Sequence, residues 1–288
     1  MPSRLFLLDG TGLFYRSFFA IKGLSTRDGT PTNAVFGFIR AIHQAIAVWK
    51  PTHFAVAWDG GTPVERLSLL PEYKAQRPPM PEALKRQEQP TGEFLERAGI
   101  PLIRMPRQEA DDVLASLVQW SRGGADEVLV ATGDKDLYQI VDDRVQLVSP
   151  TREEGRMGPR EVMGKTGVKP ERIVEWLALT GDSVDNIPGV PGCGPKTAAK
   201  LLNEFGGLSE LWEHLDAVEP GRIRESLRSA RAQVARNVSL VTLRVDLECS
   251  PGWEALRLKP ESDGNLRPFY ERMEFHSFLK ESAQPLLL

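Results

Sequence analysis

Short apolar runs alternate with amphipathic helical patterns through the first half of the chain. Five runs have the length and apolar content of buried strands: residues 4–8, 53–58, 101–104, 127–131 and 145–148. Between the first two, apolar side chains from Val35 to Trp49 recur at three- and four-residue steps, which predicts a helix packed on the core. This alternation predicts an α/β domain with a mainly parallel central sheet and flanking helices.

The pattern changes after about residue 170. Strand-like runs become scarce, and helical patterns follow one another at residues 171–179, 196–205 and 223–243. We therefore expect two domains, an α/β domain over residues 1–170 and a smaller helical domain over residues 171–288.

A segment at about residues 60–100 differs from both parts, because six prolines are interspersed with arginines and lysines. We expect it to project from the sheet. Tyr73, Lys74 and Arg77 lie within it and combine an aromatic face for stacking on a base with two cations for phosphates. The alternative interpretation is a solvated loop whose charges serve solubility.

Composition excludes several classes of protein. The chain of 288 residues has 41% hydrophobic and 26% charged residues, as ordinary globular proteins do. The apolar run before Asp9 is too short for a signal peptide, and no run approaches the roughly 18 apolar residues of a membrane span. We expect a cytoplasmic protein without a membrane partner. Its two cysteines, Cys193 and Cys249, have neither disulfide-framework nor zinc-site spacing.

Acidic residues follow the predicted strands and begin or end the predicted helices. Asp9, Asp59 and the Asp134-Lys135-Asp136 group follow strands, whose carboxyl ends form the ligand crevice of a parallel sheet. The remaining acidic residues begin or end a helix: Glu109, Asp111, Asp112, Asp182 and Asp185. Any one of the nine could be merely solvated, but their convergence on one crevice favours a common site.

Nine carboxylates in one crevice need cations. Two carboxylates about 4 Å apart repel by roughly 4 kcal/mol at an effective dielectric constant of 20. Oxygen ligands without nearby His or Cys favour Mg²⁺ or Mn²⁺ over zinc, and nine ligands are enough for two ions. Such a pair of ions is typical of enzymes that cut phosphodiesters. The net charge of −3 is then compatible with DNA binding, because the bound ions offset much of the acidic charge.

A glycine-rich hairpin precedes the helix at residues 196–205. It resembles a nucleotide-binding P-loop, but Pro195 stands where that motif requires lysine, and no strand precedes it. We therefore exclude ATP binding. A hairpin between two helices presents backbone N–H groups that can hold a DNA phosphate, although a purely structural turn is a comparable alternative. The candidate DNA contacts are Gly189, Gly192, Gly194, Lys196 and Thr197.

Together these motifs resemble the 5′-nuclease family, which comprises the amino-terminal exonuclease domain of bacterial DNA polymerase I and the flap endonucleases. The resemblance runs from Leu7-Leu8-Asp9-Gly10 through Tyr15-Arg16 to Met273-Glu274-Phe275, nearly the whole chain. It implies a PIN-like α/β nuclease domain with an arch at about residues 60–100. It also implies a DNA-binding domain with a helix-hairpin-helix element at about residues 177–205, which often holds a monovalent cation such as K⁺.

The resemblance also implies roles for individual residues. The first metal ion would be held by Asp9, Asp59, Glu109 and Asp111. The second would be held by Asp134, Asp136, Asp182 and Asp185, with Asp112 beside both ions. The basic contacts that aid catalysis would be Arg16, Lys74 and Arg77.

The implied reaction is hydrolysis of flapped, nicked or branched DNA, and of RNA primers paired with DNA, leaving 5′-phosphate and 3′-hydroxyl ends. We expect a monomer that acts in replication and repair. The chain departs from the family at Glu65, where an aromatic residue is usual, and at Leu70, where tyrosine is frequent.

Three other functions are compatible with parts of the pattern. A non-catalytic DNA-junction binding module would have lost acidic ligands, whereas none is missing here. A compact PIN-type ribonuclease would lack the helical domain and the glycine hairpin. A phosphatase needs a second aspartate shortly after Asp9, but positions 11 and 13 are Thr11 and Leu13.

Overall fold

The centre of the molecule is a six-stranded sheet whose inner strands are mainly apolar. The computed structural model describes residues 3–259 and 263–281. The strands are β1 Arg4–Asp9, β2 His53–Trp58, β3 Leu102–Arg104, β4 Glu127–Ala131, β5 Val145–Ser149 and β6 Arg152–Met157. Because β2 is buried at every position and β1 and β4 nearly so, helices cover both faces of the sheet.

The strand order is β3-β2-β1-β4-β5-β6. Neighbouring strands from β3 to β5 are parallel, and β6 pairs antiparallel with β5. All five predicted strands are present, so the mainly parallel sheet is confirmed. Strand β6 was not predicted, because this edge strand, Arg-Glu-Glu-Gly-Arg-Met, has no apolar alternation.

The helices of the first half lie on both faces of the sheet. They are α1 Gly10–Ala20, α2 Asn33–Trp49, α3 Val64–Leu69, α4 Glu82–Lys85, α5 Glu88–Ala98 and α6 Ala110–Trp120. One face packs in a cluster that contains Phe6, Phe38 and Phe54, and the other in a cluster that contains Leu7, Leu114 and Leu117. The predicted helix between the first two strands is α2.

The second half is mainly helical. Its helices are α7 Pro159–Thr166, α8 Ile173–Thr180, α9 Pro195–Phe205, α10 Leu208–Glu213, α11 Gly221–Val241, α12 Trp253–Leu256, α13 Asp263–Arg272 and α14 His276–Glu281. Short 3₁₀ helices lie at Ser121–Gly123, Asp136–Ile140, Pro170–Arg172 and Leu215–Ala217. Among the described helices, none is long and apolar enough to cross a bilayer.

The hydrophobic clusters link the two halves. The cluster that contains Leu114 continues into α8, α9 and α11 through side chains such as Leu177 and Leu201. The last helices, α13 and α14, return to the opposite face of the sheet, where Phe269 and Phe278 pack in the same cluster as Phe38. The division of the chain at residue 170 therefore stays a prediction.

The segment at about residues 60–100 does not stand free of the protein in this conformation. After β2 it forms α3, turns back over the carboxyl edge of the sheet and continues into α4 and α5. Leu70 and Tyr73 are each only 6% exposed, and Leu84 is fully buried. These three side chains anchor the segment, whereas others such as Val64 and Leu69 are exposed.

Candidate metal centre

The sheet brings the acidic residues of three strands to one edge. Asp9 ends β1, Asp59 follows β2, and Asp134 follows β4. Asp9 lies opposite Ala57 and Leu8 lies opposite Ala131, so these parallel strands end at the same level. Asp111, in the first turn of α6, lies near the same edge, since the charges of Asp134 and Asp9 both raise its pKa.

Three further carboxylates form a tight group beside this edge. One oxygen from each of Asp136, Asp182 and Asp185 lies within 4.8 Å of the others. Asp182 and Asp185 occupy a turn after α8 that is closed by two 2.8 Å backbone hydrogen bonds between Asp182 and Ile187. The Oδ1 atom of Asp136 is buried and has no hydrogen-bond partner among the described residues. Such a set of hard oxygen donors fits a divalent cation such as Mg²⁺ or Mn²⁺.

The titration of these carboxylates reflects their crowding. Burial raises the pKa of Asp136 to about 8, and the charges of Asp134, Asp185 and Asp182 contribute to the rise. Burial likewise raises the pKa of Asp9 to about 6, with smaller contributions from Asp59 and Asp134. The pKa of Asp111 lies well above its usual range, also mainly because of burial. Bound cations would reverse these shifts, since they favour the ionised carboxylates.

Cationic side chains from the segment after α3 contact the same carboxylates. Lys74 Nζ pairs with Glu109 and lies 3.5 Å from Asp185 Oδ2, while Arg77 Nη2 lies 2.6 Å from Asp185 Oδ1. The backbone N–H of Lys74 also donates to the carbonyl oxygen of Asp185 at 3.0 Å. On the other side of the group, Lys135 Nζ lies 3.3 Å from Asp182 Oδ2.

The glycine hairpin joins α8 to α9 immediately beyond the acidic turn. A Cβ atom at Gly189 would lie 2.1 Å from the carbonyl oxygen of Thr180, so only glycine allows the two backbone segments to meet there. Intrahelical bonding in α9 begins with the N–H of Ala198, which donates to Gly194. The N–H groups of Lys196 and Thr197 therefore lie in the first turn without an intrahelical acceptor, where an anion is favoured.

Two family profiles match nearly the whole chain. The profile described as 5′-3′ exonuclease, N-terminal resolvase-like domain, matches residues 4–167, and that described as 5′-3′ exonuclease, C-terminal SAM fold, matches residues 168–263. The chain belongs to the 5′-3′ exonuclease family. This protein is therefore a nuclease, and the family predicted from its motifs is confirmed.

Relatives of this exonuclease include a free-standing protein and a polymerase. It is 37% identical over 277 residues to a 5′-3′ exonuclease of Aquifex aeolicus, covering 96% of this chain and 94% of that one. It is 39% identical over 279 residues to the thermostable DNA polymerase I of Thermus thermophilus, covering 96% of this chain and 33% of the polymerase.

A solved structure has the same fold as this exonuclease. It is a bacteriophage T5 flap endonuclease variant in a pseudo-enzyme-product complex with DNA and metal ions. The TM-score is 0.69 and the identity 25%, and the match covers 94% of this exonuclease and 99% of the T5 chain.

Asp112 of this exonuclease is paired with an arginine in this structure. Its side chain is fully buried, and Arg66 binds both of its oxygens, at 2.5 and 2.8 Å. The backbone N–H of Arg244 also donates to Asp112 Oδ1 at 3.0 Å. These contacts make Asp112 the partner of a buried arginine, and its place beside both ions stays a prediction.

Tyr73 lies against the same acidic residues in this conformation. Its ring is buried, and its hydroxyl group donates to Glu109 Oε2 and to Asp185 Oδ2, each at 3.1 Å. The ring therefore offers no stacking surface for a base in this conformation. Tyr73 instead holds the segment after α3 against the acidic edge of the exonuclease.

The remaining predicted contacts lie at the surface. Arg16 is exposed on α1 and makes no ion pair within residues 3–259 and 263–281. Gly192, Gly194 and Lys196 are exposed in the hairpin. Arg66 and Lys135 had no predicted role, although Lys135 lies between two of the predicted ligands, Asp134 and Asp136.

Proposed function

We propose that this exonuclease is a structure-specific 5′-nuclease that hydrolyses phosphodiester bonds in flapped or nicked DNA. The observation that carries the proposal is the group of Asp136, Asp182 and Asp185, with oxygens within 4.8 Å of one another and a buried, unpartnered Asp136 Oδ1. Such a group is costly without cations. The T5 relative, in complex with DNA and metal ions, supports the same conclusion.

The proposed mechanism uses two divalent ions. Asp134, Asp136, Asp182 and Asp185 would hold one, and Asp9, Asp59, Glu109 and Asp111 the other. When bound, Mg²⁺ lowers the pKa of a water molecule and offsets the negative charge that develops on the phosphate oxygens. The water oxygen attacks phosphorus, the bond from phosphorus to O3′ breaks, and O3′ takes up a proton. The products carry 5′-phosphate and 3′-hydroxyl ends.

The cations near this edge would bind the scissile phosphate. In this structure Lys74 pairs with Glu109, and Arg77 pairs with Asp185. Once metal ions neutralise these carboxylates, both side chains are free to turn to the phosphate and orient it. Since their partners are the proposed metal ligands, substrate contacts and metal binding are coupled.

The helical part of the molecule would hold the duplex. The hairpin residues Gly189, Gly192, Gly194, Lys196 and Thr197 would contact one phosphate of the duplex without reading its sequence. The proposal also includes a K⁺ ion in the hairpin and action on RNA primers paired with DNA. It further includes a monomeric state and a cytoplasmic location.

Cleavage of a 5′-labelled flap duplex tests this function. The reaction is run with Mg²⁺, with Mn²⁺ and with a chelator, beside an unbranched duplex and a single strand. We expect metal-dependent cutting near the branch and much slower cutting of the two unbranched substrates. Flap binding without cleavage under any metal would contradict the proposal and would instead indicate a non-catalytic junction-binding module.

A further inference from the structure

A cleft of about 180 Å³ lies at the carboxyl edge of the sheet, and neither Lys74 nor Arg77 lines it. The cleft is lined by residues from β5, from β6 and from the loop after β4. Arg16 from α1 and Lys165 from α7 line it as well. The proposed mechanism assigns no role to this cleft.

Within residues 3–259 and 263–281, no carboxylate neutralises the charge of Lys165. Its Nζ atom donates to the hydroxyl group of Tyr138 at 2.6 Å and lies 5.2 Å from the centre of the Tyr138 ring. Within the described part of the chain, neither Lys165 nor Arg16 forms an ion pair, and no acidic residue lines the cleft. By contrast, Lys74 and Lys135 both pair with carboxylates of the acidic edge.

The loop after β4 connects the cleft to the metal centre. The hydroxyl group of Thr132 donates to Asp9 Oδ2 at 3.2 Å and accepts from the backbone N–H of Asp134 at 3.1 Å. Thr132 and Gly133 also line the cleft. A Cβ atom at Gly133 would have no heavy atom within 4 Å, so the rim next to Asp134 is open.

We propose that Lys165, together with Arg16, binds a second phosphate of the substrate DNA, next to the scissile one. The inference rests on the proposed function and adds Lys165 as a binding residue. The cleft holds two cations that have no carboxylate partner among the described residues, and a phosphodiester is complementary to them. The loop after β4, which contacts Asp9 and contains Asp134, places these cations next to the metal centre. The bound phosphate belongs either to the cleaved strand or to its complement, and the experiment distinguishes the two.

The first test is the salt dependence of flap binding. An apparent Kd is taken from single-turnover cleavage at increasing enzyme concentration, at several salt concentrations, for Lys165→Gln and Lys165→Arg. Gln can still donate to Tyr138 but has no charge, so we expect the slope of log Kd against log salt to fall by about 0.7–0.9, as for one lost phosphate contact. Lys165→Arg should keep most of the wild-type slope.

A matched control is Lys259→Gln, which removes an exposed lysine from the opposite edge of the sheet. The neighbouring Leu258 is bonded to Thr52, just before β2 begins, and so lies far from the carboxyl ends of the strands. This variant should have the wild-type slope. If Lys165→Gln fails to fold, Arg16→Gln gives the same test, since the exposed Arg16 side chain has no ion pair to lose within the described ranges.

Methylphosphonate substitution then identifies the strand. A single neutral linkage is placed at successive positions flanking the cleavage site, first in the cleaved strand and then in its complement. At one such position we expect the methylphosphonate to weaken DNA binding by the wild-type protein. The same substitution should not weaken DNA binding by Lys165→Gln. The inference would be overturned if Lys165→Gln and Arg16→Gln both kept the wild-type salt dependence of Kd and the wild-type response to a methylphosphonate at every position. Absence of cleavage by the wild-type protein would instead overturn the proposed function itself.

Discussion

Asp136 combines a buried, unpaired oxygen with a raised pKa. Its Oδ1 atom has no hydrogen-bond partner in the part of the chain that the structure describes. Burial, together with the charges of Asp134, Asp185 and Asp182, raises its pKa to about 8. A carboxylate in this position is stabilised only when a cation is close to it. Its substitution should therefore separate catalysis from DNA binding.

We predict that Asp136→Asn reduces flap cleavage at least about a hundredfold, because metal ions contribute several kcal/mol to transition-state stabilisation. Flap affinity should change little, since Asp136 is not a proposed phosphate contact. Single-turnover cleavage and a gel-shift titration measure the two effects. The control is Asp143→Asn, which changes an exposed aspartate between the 3₁₀ helix Asp136–Ile140 and β5. Undiminished Mg²⁺-dependent cleavage by Asp136→Asn would contradict the ligand assignment.

At the residue scale, the sequence predicted which carboxylates gather at the edge but not how each is paired. Asp9, Asp59 and Asp134 could be placed because parallel strands end together. The contact of Asp112 with Arg66 joins residues 46 positions apart and leaves no local pattern. The buried state of Tyr73 is likewise set by Glu109 and Asp185, which belong to distant segments.

Arg66 joins three elements at the base of the segment that crosses the acidic edge. From α3 it binds Asp112 and Glu109 at the start of α6, and its Nε atom donates to the carbonyl oxygen of Leu240 in α11 at 3.0 Å. Burial alone would lower the pKa of Arg66, but the hydrogen bond and charge of Asp112 outweigh that effect and raise it.

We predict that Arg66→Ala lowers the free energy of unfolding by about 3–5 kcal/mol, because Asp112 is left as a buried charge without its partner. Urea unfolding measures the change. The matched control is Arg267→Ala, whose partner Glu271 is 55% exposed and whose own side chain is 61% exposed. That pair should contribute only about 0.3–0.5 kcal/mol. Equal losses in both variants would disprove the structural role of Arg66.

The two glycines of the hairpin should differ in their tolerance of a side chain. Gly189→Ala should lower stability by about 1–3 kcal/mol, because its Cβ would overlap the backbone of Thr180. Gly194→Ala should cost less than about 1 kcal/mol, since no heavy atom lies within 4 Å of the added Cβ. Thermal unfolding and flap affinity should follow this order, and the reverse order would contradict the hairpin geometry.

At the element scale, strong periodic patterns were predictive and weak ones were not. The run of β2 and the repeat of α2 predicted these elements because burial dictates apolar residues at fixed steps. The edge strand β6 is mainly polar and does not need apolar residues at fixed steps, so no such pattern predicted it. The path of residues 70–77 over the acidic edge depends on ion pairs with distant residues. The pattern of hydrophobic positions does not predict such ion pairs.

The whole molecule should be stabilised by the cations that its acidic edge binds. The folded-state pKa values of Asp9, about 6, and Asp136, about 8, exceed the value of 3.8 for an unperturbed aspartate. Between pH 4 and 8 the metal-free folded protein thus binds more protons than the unfolded chain. Its free energy of unfolding therefore falls as the pH rises through this range.

We predict that the metal-free protein has a lower Tm at pH 8 than at pH 6, and that Mg²⁺ raises the Tm more at pH 8. Asp136→Asn should raise the metal-free Tm at pH 8, because it removes one of the repelling charges. Scanning calorimetry with and without a chelator measures these differences. A Tm that increases from pH 6 to pH 8 without metal would show that the carboxylates are not crowded in solution.

The central claim is that the carboxylates at the sheet edge hold two divalent ions at the scissile phosphate. Anomalous scattering from a crystal grown with Mn²⁺ and flap DNA tests it most directly. We predict two Mn²⁺ peaks about 3.5–4 Å apart, one beside Asp136, Asp182 and Asp185 and the other beside Asp9, Asp59 and Asp111. No peak at this edge, or peaks remote from these carboxylates, would contradict the account.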